Sequence, residues 1–276
     1  MPELPEVEAV VVALRSLVRG TTICRCRVIH TIAVRPSSGR GGSAAAKRLA
    51  ARLAGQTIQD VERLGKYLLL RLERGFVVMH FRLDGQLVWF PDGTIAGHID
   101  VAIETNRGTL GFVDPRHFGR VLWLEQIADS RGVAELGVDP LSKEFTPTRL
   151  LELLSSSKRP LKEFLLAQNK IAGIGNIYSS ESLWLARLNP RKRAYRVNAV
   201  EGRRLHKAIV EILGRALECC LNPPPDFRNP DWWFQGLDAI LQVYGREGLA
   251  CRRCKEKIRR IEQGGRSTYA CLRCQK

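Results

Sequence analysis

The chain contains no apolar run of the roughly 18 to 20 residues needed to cross a bilayer. Its start also lacks the basic segment and central apolar stretch of a secretory signal. These absences argue against membrane-embedded and exported classes, so the expected location is the cytoplasm or bacterial nucleoid. No internal repeat is evident, which leaves ordinary globular domains. Acidic residues are in short supply. Lys and Arg number 44 against 28 Asp and Glu, a formal net charge of +16. Solubility does not require a pI near 9.9. The surplus points to a polyanionic partner, nucleic acid first. An anionic membrane surface fits less well, because no short helix joins a basic face to a bulky apolar one.

Cysteine is present, but a chain of this size without a secretion signal needs no disulfide framework. Of the eight cysteines, four cluster near the C-terminus, and the others are Cys24, Cys26, Cys219 and Cys220. Cys24 and Cys26 sit two apart on a predicted strand. That spacing places both on one face, as packing residues rather than redox or metal groups.

The chain has 276 residues, 45% of them hydrophobic, enough for one large domain or two medium ones with proper cores. Val7, Val10, Val11, Leu14, Leu17 and Val18 recur at helical spacing, predicting a helix over residues 5 to 19. Pro5 suits its first turn, and Glu6 and Glu8 favour its positive end. Pro2 and Glu3 therefore stand just ahead of a helix N-terminus. If Met1 is removed, Pro2 offers a secondary amine beside the Glu3 carboxylate. Such a pair can attack an aldehyde-level carbon and move the proton. The positive helix end disfavours an ammonium there, which keeps the amine nucleophilic. The alternative is an ordinary exposed terminus.

Short strands follow, predicted at 22–30, 57–63, 67–72, 76–82, 86–90, 99–104, 109–113 and 120–124. Turn signals such as Asp84-Gly85 and Asn106-Arg107-Gly108 separate them. Strands in this rhythm without intervening helices predict a β-sandwich or barrel. Residues 36–47 read as a loop entering a short helix, and 128–145 as a connection. Helices are predicted at 146–154, 160–167, 177–188 and 199–221, with Thr146-Pro147 as cap and first turn. The fold class is α+β in two domains. The predicted division is 1–128, a linker at 129–145, a helical domain at 146–244 and a metal ribbon at 245–276.

Cys251-x-x-Cys254 and Cys271-x-x-Cys274 are separated by sixteen residues. Two such knuckles place four thiolates around one zinc ion, and four cysteine ligands leave no open position, so the zinc is structural. Residues 246–276 hold ten Lys or Arg against three Glu. The turn Gln263–Thr268 joins backbone freedom to Arg266 and two hydroxyls, suited to phosphate oxygens. A ribbon for protein contact is the alternative. Between two helices, Gly173-Ile174-Gly175-Asn176 permits a tight turn whose following N–H groups suit phosphate. It is not a dinucleotide fingerprint: no strand precedes it and no third glycine follows.

In order along the chain stand MPELPEVE, Gly65-Lys66-Tyr67, Asp114-Pro115-Arg116-His117-Phe118-Gly119, AGIGNIYSSE, Val243-Tyr244-Gly245-Arg246 and GGRSTYACLRCQ. On these the sequence resembles the bacterial formamidopyrimidine-DNA glycosylases, of the formamidopyrimidine-DNA glycosylase and endonuclease VIII family, over nearly its whole length. The resemblance implies an N-terminal β-sandwich with a first helix, then a helix–two-turn–helix domain and a four-cysteine zinc finger. It implies base-excision repair of oxidised purines in duplex DNA by a monomer needing no nucleotide cofactor. Pro2 would attack the sugar C1′ and expel the base, with Glu3 as proton donor and Glu6 a further carboxylate near the sugar. β- and δ-elimination would then cut the strand, with Lys66 and Arg266 as proton donors or phosphate contacts. Lys162, Asn176 and His98 would contact the DNA. Arg116, Phe118 and Leu83 would fill the space left by the everted nucleotide. Read without the motif, Lys66 is a solvated lysine and Phe118 a core residue.

Two departures stand out. Leu165-Leu166-Ala167-Gln168 replaces the family's L-L-D-Q. Leu221–Trp233, with four prolines and two tryptophans, replaces a glycine-rich loop that covers the flipped base in oxidised-purine enzymes. Trp232 and Trp233 have two readings, a stack on a base or packing against the zinc ribbon. Two rival functions remain: oxidised-pyrimidine excision of the endonuclease VIII type, and damage binding without turnover.

Overall fold

The structure is a computed structural model that describes residues 2–34, 42–95, 97–223, 225–228 and 236–276. Trp232, Trp233 and residues 36–41 of the predicted loop lie outside the described residues. The chain forms two compact units, Met1–Ala134 with Cys220–Gln235, and Glu135–Cys219 with Gly236–Lys276.

In the first unit, α1 (Leu4–Val18) is followed by β1 (Ile23–Val28), α2 (Ser43–Leu53), β2 (Ile58–Leu64), β3 (Tyr67–Leu72) and β4 (Phe76–His80). Then come β5 (Gln86–Phe90), β6 (Val101–Thr105), β7 (Gly108–Val113), β8 (Arg120–Leu124) and the short α3 (Arg131–Ala134). They make two four-stranded antiparallel sheets, β1-β6-β7-β5 and β2-β3-β4-β8. Leu68, Leu69 and Leu70 on β3 are all fully buried. Successive strand residues face opposite ways, so both faces of that sheet are covered. α1 packs on β2 and β3. Phe81, just beyond β4, stacks on Phe112 of β7 at a centroid distance of 6.2 Å, joining the two sheets.

The apolar stripe of α1 is inside, with Leu4, Val7, Val10, Leu14 and Val18 fully buried. Burial of each such side chain is worth about 1.5–3 kcal/mol, enough to hold the helix without help from propensity. Two arginines fix its rotation. Arg15 donates to Asp60 Oδ1 at 2.9 Å and to the Val61 carbonyl at 2.6 Å, and Arg63 donates to Glu8 Oε2 at 2.6 Å.

One expectation for this unit fails. Cys24 is exposed and Cys26 buried, so they do not share a packing face. The β1–β6 register shifts between Ile23 and Arg25, and the irregularity breaks the two-residue alternation. Burial, with the Glu104 carboxylate nearby, pushes the Cys26 thiol up to about 12, so it stays protonated and unreactive.

The second unit holds α4 (Pro147–Ser155), α5 (Leu161–Leu166), α6 (Asn176–Leu185), α7 (Ala199–Leu221, up to Cys219), α8 (Leu237–Ile240), β9 (Arg259–Gln263) and β10 (Arg266–Ala270). Thr146 caps α4 as its sequence predicts, its hydroxyl accepting from the Arg149 N–H at 3.1 Å, with Pro147 in the first turn. α6 ends three residues before the predicted Leu188. The chain leaves the helix through Arg187, whose φ is +55°.

Candidate active site and metal centre

Glu3 is the N-cap of α1 and forms a capping box with Glu6. The Glu3 N–H donates to Glu6 Oε2 at 2.7 Å. The two carboxylates are thus held in the first turn, where the helix end favours negative charge. Pro2, Glu3 and Glu6 are all buried, so this start is not frayed.

Lys66 occupies the second loop position of the β2–β3 hairpin, between the paired Leu64 and Tyr67. Gly65 takes the first position at φ +57°, the conformation a two-residue hairpin of this hand requires. Lys66 is only 7% exposed, which rules out the solvated reading. Arg63 donates to the Gly65 carbonyl at 3.3 Å while it holds Glu8. One guanidinium therefore ties the Lys66 hairpin to the first helix. His80 pairs with Tyr67 across the strands, ring to ring at 4.7 Å, and accepts from the Arg82 N–H at 3.0 Å. Burial, then the charges of Arg82 and Lys66, push its imidazole down to about 3.

A second cluster joins two loops. Arg116 pairs with Asp84, and its guanidinium lies 5.8 Å from the centre of the Phe118 ring. Phe118 is 48% exposed and Leu83 42%. Phe118 is therefore not a core residue. Two exposed apolar side chains thus belong to the two loops that this ion pair joins.

His98 belongs to a third group. Its ring stacks on His30 at 4.8 Å, and His117 lies 5.3 Å from His30 and 5.8 Å from His98. The buried Asp100 lies among them, with Oδ1 3.0 Å from His117 Nδ1 and 3.6 Å from His98 Nε2. The sequence reading picked out His98 alone. The His98-x-Asp100 spacing could have found Asp100, but His30 and His117 come from distant segments.

In the second unit the glycine turn and the C-terminal hairpin meet. Lys162 is fully buried and donates to the Asn176 carbonyl at 3.0 Å and to the Ser180 hydroxyl. Asn176, the first residue of α6, donates from Nδ2 to the Ser267 carbonyl at 2.9 Å. Its Oδ1 is buried without a hydrogen-bond partner. Arg266 stands exposed at the start of β10, beyond Gly264 and Gly265 at φ +57° and +71°. Gln168 clamps the turn, accepting from the Gly173 N–H at 2.9 Å and donating to the Ile174 carbonyl at 2.8 Å. That clamp survives the change to Ala167.

Sequence reasoning missed Glu181. It is buried and accepts from the N–H groups of Gln242, Val243 and Tyr244 at 2.9, 2.9 and 2.8 Å. Burial raises its pKa, and those three bonds oppose the rise. Its helix neighbours Ser179, Ser180 and Ser182 are polar too, so no local pattern marks it.

The sulfurs of Cys251, Cys254, Cys271 and Cys274 lie within 4.8 Å of one another. Cys251 Sγ is 3.9 Å from Cys274 Sγ, and Cys254 Sγ is 3.3 Å from Cys271 Sγ. Tetrahedral zinc with bonds near 2.3 Å sets sulfurs about 3.8 Å apart, so the four fit one structural zinc. Cys251 and Cys271 pack with Trp184 and Val243. Arg253 covers the Trp184 ring at 3.9 Å. The ribbon is thereby seated on α6, the helix that begins at Asn176.

Three family models cover the chain: the formamidopyrimidine-DNA glycosylase N-terminal domain at 1–121, the formamidopyrimidine-DNA glycosylase H2TH domain at 136–221, and the zinc finger found in FPG and IleRS at 248–276. The chain belongs to the formamidopyrimidine-DNA glycosylase family. A formamidopyrimidine-DNA glycosylase of Acidovorax sp. (strain JS42) is 36% identical over 280 residues, covering all of both chains. Among solved structures, MutM in complex with carbocyclic 8-oxo-G containing DNA superimposes with a TM-score of 0.86 at 31% identity, over 100% of each chain. Wild-type Lactococcus lactis Fpg, bound to DNA containing an oxidised pyrimidine, gives 0.86 at 30% identity over the same coverage. The fold is that of the family: N-terminal sheets, a helix–two-turn–helix domain and a zinc finger. No helix among the described residues is long and apolar enough to cross a membrane.

Proposed function

We propose that the protein is a bifunctional DNA glycosylase and AP lyase that removes oxidised purines from duplex DNA. The observation that carries this reading is the buried capping box at the N-terminus, with Pro2 directly ahead of Glu3 and a buried lysine in the hairpin tied to the same helix. After loss of Met1, the Pro2 nitrogen attacks C1′ of the damaged nucleotide. The C1′–N bond breaks and the base leaves with its bonding pair, protonated on departure. Glu3 protonates the ring oxygen as the sugar opens, and an iminium joins Pro2 to C1′. A secondary amine forms a permanently cationic iminium, which acidifies the C2′ proton. Elimination then expels the 3′ phosphate, a second elimination expels the 5′ phosphate, and water returns free Pro2. Lys66 and Arg266 serve these proton transfers and contact phosphate. Glu6 holds Glu3 in place.

Asn176 and Arg266 suit the phosphates flanking the lesion, with Lys162 as the cation behind that turn. His98 adds a phosphate contact. Arg116, Phe118 and Leu83 suit the vacated stack. We further propose a monomer acting in the cytoplasm, and keep 1–128, 146–244 and 245–276 as its functional segments around the linker.

The test is borohydride trapping and strand cleavage on matched duplexes carrying 8-oxoguanine, formamidopyrimidine, thymine glycol or an abasic site. We expect trapped adducts and cleavage at the purine lesions and the abasic site. Cleavage only at thymine glycol would transfer the substrate to oxidised pyrimidines, the rival that the altered Leu221–Trp233 segment leaves open. Absence of any adduct would leave damage binding alone. Intact mass of the active protein should lack one methionine.

A further inference from the structure

We propose that His30, Asp100 and His117 form a binding site for one divalent transition-metal ion of the cobalt-to-zinc series, separate from the four-cysteine centre. Their ligand atoms all lie within 4.8 Å of one another. Two imidazoles and a carboxylate are the donor set that such ions select, and three protein ligands leave room for water or a phosphate oxygen.

Asp100 is fully buried. Its Oδ2 accepts the Asp114 N–H at 2.6 Å, which fixes the plane of the carboxylate. Its Oδ1 is turned toward His117 Nδ1 at 3.0 Å, yet both atoms are buried without a well-formed hydrogen bond. Ligands of a tetrahedral ion with bonds near 2.0 Å stand about 3.3 Å apart. The pair is thus spaced as two ligands of one ion and misaligned as donor and acceptor.

The backbone supports the same reading. His117 holds φ +54°, a conformation uncommon outside glycine. Asp114 stabilises it, its carbonyl accepting the His117 N–H at 2.9 Å and its carboxylate those of Arg116 and Gly119. Three hydrogen bonds to Asp114 hold this turn, which sets the ring beside Asp100. The exposed His98, 3.6 Å from Asp100 Oδ1 and stacked on His30, stands beside the site, where it can close the coordination shell.

The test is titration of the zinc-loaded full chain with Co2+, read by calorimetry and visible absorption, with retained zinc measured by metal analysis. We expect one further equivalent to bind with nitrogen–oxygen ligand-field bands and no thiolate charge transfer. His30→Ala and His117→Asn should each weaken binding tenfold or more. Asparagine tolerates the left-handed backbone, and the His30 change removes a partly exposed ring, so both variants retain the fold. Three results would overturn the proposal: no equivalent beyond the structural zinc, equal affinity in both variants, or thiolate bands showing cobalt at the cysteines. The site would then be a histidine–carboxylate cluster that holds no ion. None of these results bears on glycosylase activity.

Discussion

His80 provides the sharpest test of the N-terminal packing. It ends β4, is 9% exposed, and has its pKa pushed from 6.5 to about 3, first by burial and then by Arg82 and Lys66. The folded state therefore binds fewer protons at His80 than the unfolded state. A depressed histidine contributes stability that is present above 6.5 and lost as the pH falls from there toward 3. Each pH unit in that window is worth about 1.4 kcal/mol. Between pH 6.5 and 5 the first unit should lose about 2 kcal/mol through this one ring. His80→Asn keeps an acceptor for the Arg82 N–H and removes the titration. Urea unfolding of wild type and variant, followed by hydrogen exchange at β3 and β4, should show the variant gaining about 2 kcal/mol relative to wild type over that range. NMR of the ring protons should show His80 silent from pH 8 to 5. A pH-independent difference, or a His80 midpoint near 6.5, would refute the reasoning.

Removing zinc with a chelator should melt β9 and β10, displace Arg266 and abolish strand cleavage; cleavage by protein shown to be metal-free would refute the structural role. Glu181→Ala leaves three N–H groups without their charged acceptor. At about 1.5–3 kcal/mol per charged hydrogen bond, with strong non-additivity, thermal unfolding should show a loss of at least 3 kcal/mol or so. Gly20 and Gly75 share φ +76°, but a Cβ at Gly20 meets nothing within 4 Å, whereas one at Gly75 falls 2.4 Å from the Leu124 carbonyl oxygen. Gly20→Ala should cost about 1 kcal/mol and Gly75→Ala clearly more, by denaturant unfolding; equal losses would show that the neighbouring strand yields freely.

Much of the fold was legible because its signals are local. The bounds of β3, β5, β8 and α7 follow from runs closed by turn residues, and the Thr146-Pro147 cap from two adjacent residues. The zinc ligands follow from spacing. What escaped depends on residues far apart in sequence. Nothing near Glu181 announces that its carboxylate will hold Gln242–Tyr244, and nothing near Arg63 announces Glu8. The histidine group draws members from three segments, of which only His98-x-Asp100 is local. Cys24 and Cys26 misled because alternation assumes an unbroken ladder, and a register irregularity has no signature in so short a strand.

Sugar chemistry and base choice make different demands on structure. The proposed attack at C1′ needs one amine and one acid held within a turn of each other. A helix cap supplies that from consecutive residues, with Glu6 returning to the Glu3 N–H and Arg63 fixing the helix to the Lys66 hairpin. Base choice needs a surface shaped to a planar ring, and such a surface can change without touching the cap. Of the two sequence departures, the proline-rich Leu221–Trp233 segment is the one proposed to bear on base choice. Variants there should therefore alter which duplex is cleaved while leaving cleavage of an abasic site, which offers no base to recognise, near its original rate. A segment change that depressed abasic-site cleavage as strongly as 8-oxoguanine excision would show that the two functions are not separable in this way.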